Sequence, residues 1–350
     1  MSEPAKPINV ALQGGGAHGA FTWGVLDRLL ADPRLKIEGL SGTSAGAMNA
    51  ACVADGWSSN AAEGARDKLR EFWLAVSDLG QLSPIQRSPI DVFMGNWSLD
   101  TSPTYVWFDL LSRLASPYQL NPFNMNLLKE LLARTVDFER VRHCSDLRLF
   151  ISATNVESGR VKVFEREELT ASMIMASACL PLLFHAVEID GVPYWDGGYM
   201  GNPVLFPFHR RCSSDDVIVV QINPVERPGT PTSARDILNR MNEITFNASL
   251  LNEFRAIDFV SRLIKEQRLE GLDYHDMRVH VITADEELRD LGASSKLNAE
   301  RAFVEHLFEA GYQAAERWLA DHFTALGNRG TAELRPIYQG ADDVREQTTE

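Results

Sequence analysis

The chain has 350 residues, 45% of them hydrophobic and 23% charged, the balance of a globular protein with one large α/β domain or two small ones. Its formal net charge is −14, from 34 Lys and Arg against 48 Asp and Glu, which excludes nucleic acid as the main partner because phosphate recognition requires a basic surface. The same balance opposes standing adhesion to an anionic membrane, while leaving room for transient contact through a local patch.

Cys52, Cys144, Cys179 and Cys212 form no CxxC pair and no Cys/His cluster at zinc spacing. Reduced thiols, no metal, no cofactor and a cytoplasmic location, peripheral to membrane at most, are the expectation. The opening residues MSEPAKPINV hold no apolar run before a small-residue cleavage site, so no signal peptide is expected. No stretch reaches the roughly 18 apolar residues of a membrane span.

Residues 7–12 (PINVAL) are expected to form a buried strand ending at Gly14-Gly15-Gly16. Phe21, Val25, Leu29 and Leu30 then recur at helical spacing. Residues 36–41 form a second strand, and small residues open a helix over about 45–54. This strand–helix–strand–helix start predicts parallel strands in a layered α/β fold. Residues 80–125 carry Pro84, Pro89, Pro103, Pro117 and Pro122 among Ile85, Ile90, Phe93, Met94, Trp97, Tyr105, Trp107 and Phe108. They predict an insertion of short helices, either packed on the core or serving as a lid or lipid-facing patch. Further strands are expected at 147–153, 160–164, 187–189 with 192–195, 217–222 and 278–283, and long helices at 234–266 and 297–322. Residues 1–327 are read as a single domain and 328–350 as a polar tail. Asp215-Asp216, Asp285-Glu286-Glu287 and Asp342-Asp343 are read as solvated charge rather than as a metal site.

Gly14-Gly15-Gly16-Ala17-His18-Gly19 matches G-x-G-x-x-G between a strand and a helix. A dinucleotide site would also need an acidic residue closing the next strand, but Glu38 lies inside that strand. The strand ends instead in Gly42-Thr43-Ser44-Ala45-Gly46, the G-x-S-x-G pattern that perches a serine on a tight strand-to-helix turn. Acyl transfer at such a serine generates an oxyanion that requires preorganised N–H donors. A glycine run at a helix N-terminus presents bare N–H groups with the helix dipole behind them. Adjacent parallel strands bring both loops to one sheet edge, so the two motifs share one explanation.

The base is less plain. Only one strand and one helix precede Ser44, unlike the order that carries a late triad histidine. Of His18, His143, His185, His209, His275, His280, His306 and His322, only His18 sits beside a motif that would aim it. The acidic candidate is Asp196 in Tyr194-Trp195-Asp196-Gly197-Gly198. Asp190-Gly191 reads as a tight hairpin turn, and Asp196 closes the returning strand at the other end.

The glycine run, the early G-x-S-x-G and the late Asp-Gly-Gly, in that order over about residues 8–205, resemble the patatin-like phospholipase family. The stretch ASACLPLLF at 176–184 is similar to what that family carries ahead of its Asp-Gly-Gly. The resemblance implies a three-layer α/β/α fold with a mainly parallel sheet and a Ser–Asp dyad. Ser44 is then the nucleophile, Asp196 the base, Gly14, Gly15 and Gly16 the oxyanion loop, and Gly42 and Gly46 the elbow glycines. The family usually carries Arg or Lys after the glycines, where this chain has His18, read as a helper position or as packing. The expected activity is lipid acyl ester hydrolysis of phospholipase A or lysophospholipase type. An acyltransferase, a polyhydroxyalkanoate depolymerase and a non-catalytic lipid-binding module are the alternatives.

Overall fold

The computed structural model describes residues 4–269, 274–289 and 291–340. Its strands are β1 (Lys6–Leu12), β2 (Leu35–Gly42), β3 (Arg148–Asn155), β4 (Val161–Glu165), β5 (Val187–Ile189), β6 (Val192–Asp196), β7 (Asp216–Gln221) and β8 (Arg278–Thr283). They join in one sheet in the order β5-β6-β3-β2-β1-β7-β8, with β4 also paired to β3. The contacts among β3, β2, β1, β7 and β8 are parallel, and those of β4, β5 and β6 are antiparallel.

The central strands read as unbroken apolar runs because both faces are covered. Ile8, Val10, Leu12, Ile218 and Val220 enter one core, while Ala11, Val217 and Val219 enter a second on the other face. The helices are α1 (Gly19–Leu30), α2 (Ala45–Gln81), α3 (Pro89–Met94), α4 (Pro103–Leu114), α5 (Pro117–Leu120), α6 (Leu127–Thr135) and α7 (Phe138–His143) in the first half. The second half adds α8 (Ala171–Ser177), α9 (Phe206–Arg211), α10 (Ala234–Lys265), α11 (Asp285–Leu288), α12 (Arg301–His322) and α13 (Leu334–Gln339). Residues of α1, α2 and α12 fill the first core, and Phe208 of α9 with Leu250 and Phe254 of α10 fill the second. The architecture is therefore helix layer, mainly parallel sheet, helix layer.

Helix α2 runs well past the expected end near residue 54. It breaks at Asn60 and Ala61, whose backbone is non-helical, and resumes with Ala65, Leu69, Phe72 and Trp73 buried on one stripe. The expected insertion is helical, and each of α3, α4 and α5 starts with a Ser-Pro step at Ser88, Ser102 and Ser116. Serine at the N-cap and proline at the first helical position are both suited to a helix start. Its apolar residues divide. Trp97 stacks on Phe303 at 5.1 Å with Arg87 over its ring, and Tyr105 and Phe108 are half-buried. Ile90, Phe93, Met94 and Trp107 are exposed.

The segment expected as a polar tail is described as far as residue 340. There the Thr331 and Ala332 N–H groups donate to the Val279 carbonyl, and Leu334 and Ile337 of α13 pack on the second core. Asp342-Asp343 lie outside the described residues. Asp216 is not the solvated charge expected of it. It is buried and accepts from Arg278, His280 and the Gly327 N–H, which together hold its carboxyl below the usual range against the cost of burial. The four cysteines carry no disulfide.

Candidate active site

Strand register lines up the key positions before any side chain is considered. Leu12 pairs with Gly42, Gly42 with Ile151, and Ala153 with Asp196. Two residues further along β1 and β2, at roughly 3.3 Å per residue, Gly14 and Ser44 are level with Ala153 and hence with Asp196. Strand β6 runs antiparallel to β3, enters the sheet from the edge where the parallel strands end, and stops at Asp196 opposite Ala153, so the carboxyl stays near that edge. A hydroxyl rivet fastens the row. Thr43 Oγ1 and Ser152 Oγ lie 2.6 Å apart, and the Gly201 carbonyl is within 2.7 Å and 2.8 Å of them respectively.

Ser44 has φ 54° and ψ −119°, a backbone conformation that costs an L-residue energy and persists only where its surroundings impose it. Its N–H donates to Ser177 Oγ at 2.9 Å, and its carbonyl accepts the Met48 N–H at 3.1 Å as α2 begins. Gly46 packs against the Leu12 carbonyl and Gly42 against Gly46, so neither site has room for a side chain. The serine is thus held half-exposed at the head of α2.

Asp196 is buried. Its N–H donates to the Cys179 carbonyl at 2.8 Å, and Oδ1 accepts the Gly198 N–H at 2.7 Å. Burial pushes its carboxyl up to about 7, against the opposing pull of the Gly198 N–H, the Ser44 side chain and the charge of Lys296. A carboxyl in that range is matched to accept a proton near neutral pH.

The glycine loop rests on a buried carboxamide lattice. Gly14 N–H donates to Asn202 Oδ1 at 2.7 Å, and the Gly14 carbonyl accepts from Asn223 Nδ2 at 2.7 Å. Gln13 Oε1 accepts the Ile222 and Asn223 N–H groups, and its Nε2 donates to Asn247 Oδ1 at 3.2 Å. The Gly14 N–H is therefore committed to structure, whereas the Gly15 and Gly16 N–H groups have no partner among the described residues. Gly16 has φ 59°, the left-handed region that glycine tolerates, and a Cβ there would run into the Lys296 carbonyl. At Gly14 a Cβ would lie 2.7 Å from the Ser44 Cβ, so this residue is a spacer that lets loop and elbow touch. Gly14→Ala is expected to lower kcat by about 10²-fold through misplacement of the loop, with the fold intact. Steady-state kinetics beside a thermal melt checks this, and an unchanged kcat would remove the spacer role.

His18 does not supply a cation. It is buried, its Nε2 lies 2.8 Å from Ser295 Oγ, and its ring meets Phe303 edge-on. The Ser295 hydroxyl proton is directed to the Gly292 carbonyl at 2.7 Å, so the His18 Nε2 carries the hydrogen between them. Burial, then the charges of Lys296 and Arg227, hold the imidazole well below its ordinary value, so it is neutral at pH 7. His280, buried on Asp216, sits on the N-terminal half of β8, away from the edge where Ser44 lies. Asn202, Asn223, Asn247, Ser177 and Lys296 escaped sequence reasoning. Of the supporting residues, only Gln13, which adjoins the glycine run, and Ser177, which lies in the 176–184 stretch, had a local signal. A cavity of 1090 Å³ lined by Phe150, Val163, Tyr199, Glu253 and Ile257 is separate and takes in neither Ser44 nor Asp196.

A family model described as patatin-like phospholipase matches residues 10–209. Comparison with curated proteins found no match. Among solved structures, the chain is similar to VipD from Legionella pneumophila at 16% identity and TM-score 0.44, covering 91% of this chain and 67% of that one. ExoU from the type III secretion system of Pseudomonas aeruginosa, solved in complex with SpcU, aligns at 14% identity and TM-score 0.33, covering 99% of this chain and 62% of that one. A second structure of the type III effector ExoU aligns at 15% identity and TM-score 0.27, covering 99% of this chain and 64% of that one. The chain thus spans less than two thirds of the length of these ExoU chains.

Proposed function

The chain belongs to the patatin-like phospholipase family, and from that membership we propose that it hydrolyses lipid acyl esters with Ser44 as nucleophile and Asp196 as base. The observation that carries this reading is a serine at positive φ on the same row of the sheet as a buried carboxyl, whose pKa burial pushes up to about 7 while the Ser44 side chain pulls it down. Asp196 takes the Ser44 proton as the serine oxygen attacks the ester carbonyl. The Gly15 and Gly16 N–H groups receive the oxyanion. The leaving alcohol then takes the proton from Asp196. Water, deprotonated by the same carboxylate, releases the fatty acid and restores the serine. Supplying purified protein with a phospholipid and with added glycerol or lysolipid tests the reaction class. Free fatty acid is the expected product, and transfer of the acyl group to the added alcohol would reassign the enzyme as an acyltransferase.

We further propose that the helical insertion meets the lipid surface. No helix among the described residues is long and apolar enough to cross a membrane. Yet Leu82, Ile90, Phe93, Trp107, Leu114 and Phe123 are exposed, and between Leu82 and Leu127 the charged residues are only Arg87, Asp91, Asp100, Asp109 and Arg113. Such a concentration marks an interaction surface. The insertion is also tethered beside the site. Tyr118 Oη accepts the Ala186 N–H near the Asp196 strand, and Ser98 and Leu99 bond Ser294 next to the glycine loop. Burying one large apolar side chain contributes about 2 kcal/mol. The double variant Phe93→Glu, Phe123→Glu is therefore expected to weaken binding to phosphatidylcholine vesicles by at least about tenfold. Hydrolysis of a soluble short-chain ester should be unchanged, and undiminished co-sedimentation with vesicles would place lipid contact elsewhere.

A further inference from the structure

The position after the glycine run holds a neutral imidazole, so any positive charge acting on this site comes from elsewhere in the chain. Lys296 is the side chain placed to supply it. Its carbonyl abuts Gly16, its Nζ donates to Asn223 Oδ1 at 2.8 Å, and the ammonium lies 5.8 Å from the centre of the Phe246 ring. Asn223 in turn holds the Gly14 carbonyl, and the Phe246 ring packs against Gly198, whose N–H bonds Asp196. One residue is thereby anchored to the glycine loop through its backbone, to the lattice beneath that loop through its side chain, and to the Asp-Gly-Gly turn through an aromatic ring. The ring of His18 is tied to the neighbouring Ser295.

We infer that Lys296 is the positioning residue that provides the fixed positive field of the active site, favouring the carboxylate form of Asp196 and the negative charge that develops over the Gly15–Gly16 amides. The inference rests on the Ser44–Asp196 reading above. The groups that act on Asp196 are the Ser44 side chain, the Gly198 N–H and Lys296, while Tyr199 and Cys179 lie close enough for Asp196 to raise their own titration. Those acting on Lys296 are Glu243 and Asp196, which favour its charged form, and Arg227, which with burial opposes it. Glu243 is itself paired with Arg227 and Arg240. Lys296 comes from a segment more than 250 residues beyond the glycine run, and that segment carries no motif.

The test is the pH dependence of kcat/KM for a soluble ester in Lys296→Met and Lys296→Arg. Removing the cation should move the acid limb to higher pH by on the order of one unit and lower the rate near pH 7 by about fivefold. Lys296→Arg should return the limb to its wild-type position. Should Lys296→Met fail to fold, Lys296→Gln, which keeps a donor for Asn223 without the charge, should give the same shift. An acid limb that stays in place overturns the assignment, even if the plateau rate falls, because a merely structural lysine has that signature. Asp196→Asn measured alongside, with fluorophosphonate labelling of Ser44, separates the two readings. Labelling lost there with an unmoved limb in Lys296→Met overturns the Lys296 assignment alone. Retained labelling in Asp196→Asn overturns the dyad and the Lys296 assignment together.

Discussion

Ser44→Ala is expected to lower hydrolysis of a fatty-acyl ester by roughly 10⁴-fold or more. No other hydroxyl takes its place. Ser177 Oγ accepts the Ser44 N–H, and the Thr43 and Ser152 hydroxyls are paired with each other over the Gly201 carbonyl. Alanine keeps the backbone N–H, the contact of its Cβ with Gly14 and the start of α2, so the thermal melt should move by no more than a few degrees. Whatever rate remains would come from the free N–H groups of the glycine loop, in their proposed oxyanion role, acting on water. The measurement is steady-state turnover together with fluorophosphonate labelling. Activity that survives at wild-type level in a folded Ser44→Ala protein would sink the mechanism.

Asp196→Asn should remove turnover to a similar extent and should also change stability in a direction that few active-site substitutions share. The carboxyl of Asp196 is pushed up to about 7 in the folded chain, chiefly by burial. In the unfolded chain an aspartate titrates near 4. Between about pH 4 and pH 7 the folded protein holds a proton that the unfolded chain has released, so this group's contribution to stability declines as pH rises through that window. Asparagine keeps an oxygen for the Gly198 N–H and carries no charge to bury. The variant should therefore match the wild type near pH 4 and exceed it above pH 7, by on the order of 4 kcal/mol. Melting curves across that range, set beside the acid limb of kcat/KM, check both halves. A variant less stable than the wild type at pH 8 would mean that Asp196 is not a carboxylate held against its burial.

Much of this arrangement was legible from residue order alone. Parallel strands were read from apolar runs punctuated by glycine, and the elbow from the spacing of Gly42, Ser44 and Gly46, because tight turns demand residue types that local sequence displays. The Asp190-Gly191 hairpin is of the same kind, with both residues at positive φ as a tight turn requires. Locality also explains the misreadings. Helix α2 continues beyond Asn60 because its second half finds apolar cover, which no local signal announces. Asp216 looked like surface charge because its partners Arg278 and His280 lie on β8, over 60 residues away in the chain.

By itself, then, the order of amino acids determined which backbone turns form and which reactive groups stand on them: Ser44 on one, Asp196 on another, the glycine run on a third. Tertiary structure decided how those groups behave. Only the assembled sheet sets Gly14, Ser44 and Asp196 in one row, commits the Gly14 N–H to Asn202, neutralises His18 and raises the carboxyl of Asp196. Turn geometry depends on neighbours within a few bonds, whereas proton affinity depends on how much water and charge surround a group, and those surroundings are built from every part of the chain.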